Sequence, residues 1–276
     1  MTRLKIALLA GGDSPEREIA LQSAALIEAA LDHSKYDITV IDLHGRDWHH
    51  TAPDGRQWQV DKNDFSITVD GVRKAFDYAL IIIHGTPGED GKLQGYLDMM
   101  GVPYSSCSMT SSVITFDKIT AKRTLAGRVN LAREVFLRRG EAFDPAQIVA
   151  DLGMPLFVKP NANGSSFGVT KVHAPEELPT AIEAAFAQGD EIPPADITPE
   201  VKAELNRMTR EAYRTCRCSG VVRVDFIVTP AGVPYFIELN SIPGMSGGSI
   251  VPKQAREMGM SLGELYDIII ADTCRK

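Results

Sequence analysis

Four polar residues in the last third of the chain have the types and the spacing of a cation-binding site. Arg223 and Asp225 are separated by one apolar residue, and so are Glu238 and Asn240. Alternation is the period of a β-strand, so the members of each pair share one face of their strand. Neighbouring carboxylates repel each other unless a cation lies between them, and hard oxygen ligands suit magnesium. The pattern predicts a magnesium site; the alternative is a solvated polar face with an ordinary ion pair.

The pairing of the two strands decides whether these side chains meet. If Thr229 pairs with Pro234 around a four-residue turn, Asp225 faces Glu238 across the hairpin. The loop that follows, residues 241–249, is rich in Gly and Ser. Small residues let a ligand approach the backbone closely, which favours a binding site over a plain surface hairpin.

A second candidate site is the Gly- and Ser-rich segment 159–168, which lies between two predicted strands. It does not open a helix, as a Walker loop or a dinucleotide fingerprint would. Backbone amides in such a loop can fold over phosphates while Lys159 neutralises their charge. By itself, the segment is equally compatible with a surface hairpin that has a long loop.

Two further loops follow buried strands near the N-terminus. Residues 11–18 lead into a helix, whose N-terminus could bind an anion. Glu16 in its first turn is equally a favourable partner of the helix dipole. His84 begins a Gly-rich loop at the carboxyl end of another strand, where α/β sheets place their ligands.

The elements that must position these residues follow from apolar periodicity. The first 105 residues predict an α/β sheet of Rossmann-like type, with Ser14 as the N-cap of the first helix. The predicted strands there are 5–10, 38–43, 58–60, 66–69, 79–83 and 102–104, and the predicted helices are 15–31 and 93–100. The later predicted helices are 112–126, 175–187, 199–215 and 261–271, and the later predicted strands are 155–158, 169–172, 221–228 and 234–239.

Composition excludes several classes of function. The chain has 276 residues with 36 acidic and 29 basic side chains, a net charge of −7 and no compensating basic cluster. Nucleic acid and anionic membranes are therefore not expected as partners. No apolar run approaches the ~20 residues of a membrane-spanning helix. The four cysteines match no common zinc pattern, which indicates reduced thiols in a cytoplasmic protein.

Taken together, the motifs resemble the D-alanine–D-alanine ligase family of the ATP-grasp superfamily. The matching segments, in chain order, are GGDSPERE at 11–18, HGTPGEDGKLQG at 84–95, FDK at 116–118, VKPNANGSS at 158–166, RVDF at 223–226 and ELNSIPGMSGGS at 238–249. The resemblance implies a Rossmann-like N-terminal domain followed by central and C-terminal α+β domains of the ATP-grasp type. The implied domains are residues 1–108, 109–192 and 193–276.

The resemblance also implies an activity. ATP would phosphorylate one D-alanine, and a second D-alanine would attack the acylphosphate, giving a peptidoglycan precursor in the cytoplasm. The implied cofactors are ATP and two magnesium ions, with manganese as an alternative, and the implied assembly is a homodimer.

Residue roles follow from the same motifs. Those implied in catalysis are Glu16, Ser165, Arg223 and Gly244. Those implied in substrate binding are Glu16, His84, Ser249 and Ile250. Those implied in ATP binding are Lys118, Lys159, Ser165 and Ser166. The implied metal ligands are Asp225, Glu238 and Asn240.

One departure from the family is large. The family continues after the helix that ends here near Ala187 with an adenine-binding strand and a mobile loop. Roughly 40–60 residues are absent, judged by usual element lengths. Either the protein is a truncated, inactive form, or the printed sequence omits an internal segment. We favour the second and predict a break near Ile192, because mobile lids are the parts most often lost.

Alternative functions remain open at this stage. The protein could use D-lactate or D-serine as its second substrate, or be a catalytically inactive ATP-grasp paralogue. The joint presence of Arg223 with the three predicted metal ligands argues against the inactive form, because a binding module needs no oxyanion donor there.

Overall fold

A computed structural model describes residues 2–161, 170–185 and 198–274. The chain folds into two compact units. The first consists of Met1–Val113, Arg217–Arg223 and Asn240–Lys276, and the second of Ile114–Cys216 and Val224–Leu239. The three-domain division expected from the sequence stays a prediction.

A seven-stranded sheet forms the first unit, in the order β6-β5-β4-β3-β2-β1-β7. Its strands are β1 (Leu4–Gly11), β2 (Tyr36–His44), β3 (Asp47–Thr51), β4 (Gln57–Asp61), β5 (Ser66–Val69), β6 (Val72–Ala75) and β7 (Tyr78–Ile81). β1 pairs in parallel with β2 and β7, whereas β2 to β6 pair successively as antiparallel neighbours. The predicted α/β sheet is confirmed, and the antiparallel part extends one of its edges.

Helices cover both faces of this sheet. They are α1 (Arg17–Ala30), α2 (Lys92–Met100), α3 (Met109–Phe116, which continues past this unit), α8 (Ile250–Glu257) and α9 (Leu262–Thr273). Ile27 of α1 packs with Tyr266 and Ile269 of α9 against one face. Leu93 and Leu97 of α2 pack against the other. The two apolar layers hold the carboxyl ends of the parallel strands, and the loops that leave them, in place.

The structure corrects two local predictions in this unit. Helix α1 begins at Arg17 with Glu16 as its N-cap, so Ser14 is not the cap. The Ser14 Oγ instead accepts the Glu16 N–H at 3.2 Å and donates to the His84 carbonyl at 2.8 Å. The predicted strand 102–104 is reduced to a single bridge between Ala79 and Tyr104.

The second unit contains two two-stranded sheets, β8–β9 and β10–β11. Its elements are α4 (Lys118–Leu125), α5 (Pro145–Leu152), β8 (Leu156–Val158), β9 (Thr170–Val172), α6 (Leu178–Ala185), α7 (Pro199–Thr215), β10 (Arg223–Val228) and β11 (Pro234–Asn240), the last two ending at the border of the unit. Among the described residues, no helix combines the length and the apolar character needed to cross a membrane.

The predicted helix 112–126 is broken in two at Asp117. This residue has an extended conformation (φ −86°, ψ 105°), and its side chain caps α4 by accepting the Thr120 N–H. The break makes Lys118 the first residue of a new helix. The sequence pattern missed it because the apolar spacing continues through the break, whereas the cap depends on the backbone angles of one residue.

The hairpin turn also differs from the prediction. The Thr229 N–H donates to the Val233 carbonyl at 3.0 Å, and Gly232 adopts φ +77°. The loop therefore has three residues and ends in a left-handed glycine, so the predicted pairing of Thr229 with Pro234 is wrong.

Burial along β11 changes phase after Phe236. Pro234 and Phe236 are buried, and the next buried residue is Leu239. Such a phase change is typical of a β-bulge, in which one strand has an extra residue.

Candidate functional site

A cluster of opposite charges lies in the second unit. Lys118 begins α4, and its Nζ lies 3.2 Å from Oε2 of Glu238 in β11, with side chains only 11% and 17% exposed. Lys159, half-buried, follows directly after β8. Burial, together with the positive charge of Lys118, lowers its pKa to about 8, and Glu238 opposes the shift. The structure therefore brings together two predicted ATP-binding lysines and one predicted metal ligand.

A second ion pair completes the cluster. Lys122 lies one turn after Lys118 on α4, and its Nζ donates to the Glu134 carboxylate and, at 3.0 Å, to the Ala132 carbonyl. The charge of Lys122 lowers the pKa of Lys159, and that of Glu134 raises it. The pair of Lys122 with Glu134 was not predicted from the sequence. The spacing of four residues between the two lysines was the available signal, because it places them on one helix face.

The donor chemistry fits a magnesium ion. Asp225 and Glu238, in the second unit, carry carboxylate oxygens. Asn240, in the first unit, carries an amide oxygen that accepts the Ile242 N–H at 2.9 Å. A carbonyl-type oxygen has a second lone pair, so this bond leaves room for a ligand. No group of three His, Cys, Asp or Glu residues in the described part of the chain has a metal-binding arrangement. Carboxylate and amide oxygens are the ligand types that magnesium accepts, and the role of these three residues as its ligands stays a prediction.

In the first unit, hydrogen bonds join three of the predicted site loops. His84 is 4% exposed, and its Nδ1 lies 3.0 Å from the Ile242 carbonyl. The Ser14 bond to the His84 carbonyl ties the loop before α1 to the same place. Glu16, half-buried at the N-cap of α1, makes no capping hydrogen bond with its side chain. The Glu16 carboxylate therefore does not cap α1.

The loop before α8 is tightly packed. Ser249 is the N-cap of α8, yet its Oγ makes no cap bond and lies 2.7 Å from the Ser246 Oγ. A Cβ at Gly244 would lie 2.9 Å from the Ser249 Oγ, so this position favours glycine. Ile250, the first residue of α8, is 36% exposed. Arg223, at the start of β10, is half-buried.

Two of the predicted site residues are not described. Ser165 and Ser166 lie outside the described residues, and so does the predicted break near Ile192.

Solved structures with the same fold identify the class of protein. A D-Ala:D-Ser ligase from Enterococcus faecalis matches with a TM-score of 0.85 at 27% identity, covering 98% of this chain and 99% of that chain. A D-alanine–D-alanine ligase from Bacillus anthracis complexed with ATP matches with a TM-score of 0.79 at 28% identity, covering 99% and 97%. The fold is that of an ATP-grasp ligase.

Sequence comparison identifies the family. The description "D-ala D-ala ligase N-terminus" matches residues 5–107, and "D-ala D-ala ligase C-terminus" matches 129–193 and 189–271. The D-alanine–D-alanine ligase of Phocaeicola vulgatus is 34% identical over 316 positions, covering 96% of this chain and 98% of that protein. The chain belongs to the D-alanine–D-alanine ligase family.

The same comparisons locate the difference from the family. The C-terminal match consists of two stretches that meet around residues 189–193. The alignment with the P. vulgatus protein has 316 positions but includes only 96% of the 276 residues, so about 51 positions have no residue of this chain opposite them. The expected absence of a central segment agrees with this finding.

Proposed function

We propose that the protein joins two D-alanine molecules in an ATP-dependent, ADP-forming ligation. The observation that carries the proposal is the arrangement of Lys118, Lys159 and Glu238 in a member of this family. Two cations beside a carboxylate can hold the phosphates of a nucleotide and share a divalent ion with them.

The reaction begins with activation of a carboxylate. The terminal phosphoryl group of ATP passes to the carboxylate of the first D-alanine, which yields ADP and an acylphosphate. A bare carboxylate resists attack by an amine, because it is negatively charged and has no good leaving group. The amine of the second D-alanine attacks the acylphosphate, loses a proton, and expels phosphate from the tetrahedral intermediate.

Residues of the second unit bind the nucleotide in this proposal. Lys118 and Lys159 hold its phosphates, and Ser165 with Ser166 belongs to the covering loop. Asp225, Glu238 and Asn240 would hold one or two magnesium ions, or manganese in their place, which would neutralise charge at the transferred phosphoryl group. Lys118 exchanges its partner Glu238 for a phosphate oxygen when the nucleotide binds.

Residues of the first unit bind the amino acids. Glu16 holds the ammonium of the first D-alanine, and His84 lies on the substrate side. The N-terminus of α8, with Ser249 and Ile250, takes the carboxylate of the second D-alanine, because helix N-termini favour anions.

Two groups stabilise the charge that develops in the reaction. The Arg223 guanidinium and the Gly244 N–H donate to the oxyanion of the tetrahedral intermediate.

The remaining proposals concern cell biology and assembly. The product is a precursor of peptidoglycan made in the cytoplasm. The protein is a homodimer that associates through its N-terminal part, and multi-angle light scattering tests this. The domain boundaries at residues 108 and 192 are proposed with it.

One assay tests the activity. The protein is mixed with ATP, magnesium and D-alanine, and both phosphate release and the dipeptide are measured. Phosphate release with D-serine or D-lactate as acceptor, but not with D-alanine alone, would contradict the proposed substrate. D-Serine is the first alternative, because the matched E. faecalis structure is a D-Ala:D-Ser ligase. ATP binding without release for any acceptor would favour an inactive paralogue.

A further inference from the structure

The N-terminus of α4 is closed by a residue from the segment after β8. Asn161 lies two positions beyond Lys159. Its Oδ1 accepts the Ile119 N–H at 3.0 Å, and its backbone carbonyl accepts the Lys118 N–H at 3.2 Å. The first two amides of α4 therefore donate to one residue that is more than forty positions away in the sequence.

Asp117 completes the closure. One of its carboxylate oxygens accepts the Thr120 N–H at 2.7 Å, and the other accepts the Asn161 Nδ2 at 2.6 Å. Both polar atoms of the Asn161 side chain and both oxygens of Asp117 are thus engaged. We call this set of bonds between Asp117, Asn161 and the first turn of α4 the α4 clamp.

The α4 clamp occupies the backbone N–H groups with which the N-terminus of α4 could otherwise bind a phosphate. A helix N-terminus attracts phosphate through its unpaired N–H groups. Here the amides of Lys118, Ile119 and Thr120 already donate to the clamp. A phosphate near this end of α4 is therefore bound by the lysine side chains and not by these amides. The positions of the lysines then determine the binding strength.

The clamp joins the two segments that carry those lysines. Lys118 is the first residue of α4, and Lys159 is two residues before Asn161. The two ammonium groups repel each other, since the charge of Lys118 lowers the pKa of Lys159. The hydrogen bonds of Asn161 to Lys118, Ile119 and Asp117 tie the two segments together and oppose that repulsion.

We propose that Asn161, acting with Asp117, is a positioning residue that sets the spacing of Lys118 and Lys159 for the phosphates of the nucleotide. Asn161 need not touch the nucleotide. The inference rests on the proposed function in that both lysines bind ATP. The proposal gives Asn161 a role in nucleotide affinity and turnover, although its side chain forms its hydrogen bonds with Ile119 and Asp117.

The decisive variant is Asn161→Asp. It keeps the acceptor for the Ile119 N–H but puts a carboxylate against Asp117, so the donated bond is replaced by repulsion. We expect the KM for ATP to rise by about tenfold or more, with a fall in kcat, because the lost part-buried bond and the charge clash displace both lysines. The KM for D-alanine should stay unchanged.

The double variant D117N/N161D tests the pairing itself. It exchanges the donor and the acceptor: Asn at 117 donates to Asp at 161, and each still accepts from the helix. We expect the KM for ATP to return to within about threefold of the unaltered protein, since only coupled residues show such non-additivity. Failure of the double variant to recover would overturn the α4 clamp.

A matched control is available in the first unit. Asn63 is exposed, and its Nδ2 donates to Asp61 Oδ1 at 2.8 Å. Asn63→Asp makes the same change beside an aspartate, in the unit that contains neither of the lysines assigned to ATP. It should leave the KM for ATP unchanged.

The remaining outcomes distinguish a failure of the role proposed for the α4 clamp from a failure of the proposed function. If Asn161→Asp lowers the melting temperature while both KM and kcat stay unchanged, Asn161 is merely structural and the proposal is overturned. Calorimetric titration with ATP is run on every variant. An unaltered protein that binds no ATP would contradict the proposed function and the clamp with it, whereas equal ATP binding by all variants would contradict the clamp alone.

Discussion

At the scale of single residues, Lys159 shows how burial prepares a side chain for its ligand. An ordinary lysine has a pKa near 10.5, and burial with two neighbouring lysines lowers that of Lys159 to about 8. Removing water from an ammonium costs free energy unless an anion replaces the water. A phosphate supplies that anion, so this lysine is poised to gain more from binding than a solvated one.

The lowered pKa predicts how ATP binding depends on pH. Below about 8 the Lys159 amine is charged and attracts phosphate, and above that pH the charge is lost. We expect the Kd for ATP to rise by at most about tenfold per pH unit above that pKa. The folded protein should meanwhile gain stability between that pH and 10.5, because the unfolded chain binds more protons there.

Calorimetric titrations from about one unit below to one unit above this pKa measure the effect. Lys171→Arg, at an exposed position of β9, serves as the control, with the same pH profile as the unaltered protein. An ATP affinity that is flat across this range in the unaltered protein would contradict the role of Lys159.

Arg223 provides a second test at this scale. In the proposed role of oxyanion donor, it would act on the transition state and not on the nucleotide. Arg223→Ala should lower kcat by about 10²- to 10³-fold while the Kd for ATP stays unchanged. Steady-state kinetics and nucleotide titration are compared, and equal losses in both would mean that Arg223 is structural or binds ATP.

At the scale of elements, capping decides where helices begin. The apolar pattern predicted one helix over 112–126, yet Asp117 ends one helix and caps the next. By contrast, Ser261 and Glu264 form a capping box at α9, and that helix starts where its sequence predicts. A capping box is readable because both partners lie within four residues, whereas half of the α4 clamp comes from a distant segment.

The capping box itself supports a prediction. The Ser261 Oγ accepts the Glu264 N–H at 3.2 Å, and α9 carries buried residues such as Tyr266 and Ile269. Ser261→Ala should lower the free energy of unfolding by about 1 kcal/mol.

Thermal unfolding by circular dichroism measures this change. Ser34→Ala is the control, since Ser34 bonds Asp32 in a turn and caps no helix. A melting temperature of the Ser261→Ala variant equal to that of the unaltered protein would contradict the importance of the cap.

At the scale of the whole molecule, the chain is shorter than the alignment with its relatives. About 51 positions of the alignment with the P. vulgatus protein have no residue of this chain opposite them, and the two stretches of the C-terminal family match meet around residues 189–193. The lysines and carboxylates assigned to phosphate and metal lie outside that region. Nucleotide phosphates should therefore still bind, even where contacts provided by the extra segment of the relatives are absent.

Ligand-linked stability tests this expectation on the intact protein. ATP with magnesium at about one hundred times its Kd should stabilise the fold by about 2.7 kcal/mol. Removing magnesium with a chelator should abolish most of that gain, because Asp225, Glu238 and Asn240 would then face the phosphates without a cation. Differential scanning fluorimetry measures both conditions. A melting temperature that does not respond to ATP in either condition would contradict nucleotide binding.

The structural features that the sequence determined by itself are local ones. Alternation along 222–228 and 236–240 predicted two strands with polar faces, and apolar runs predicted the parallel strands β1, β2 and β7. These features depend on residues close together in the chain. The motifs in their joint order also predicted the family, which the comparisons confirm.

Only the tertiary structure decided the features that depend on distant partners. It revealed the break at Asp117, the pair of Lys122 with Glu134, and the bonds from Asn161 to α4. It also lowered the pKa of Lys159, which depends on burial and on neighbouring charges and not on residue type. The physical reason is that hydrogen-bond satisfaction and desolvation are set by which segments pack together, and spacing along the chain does not encode that.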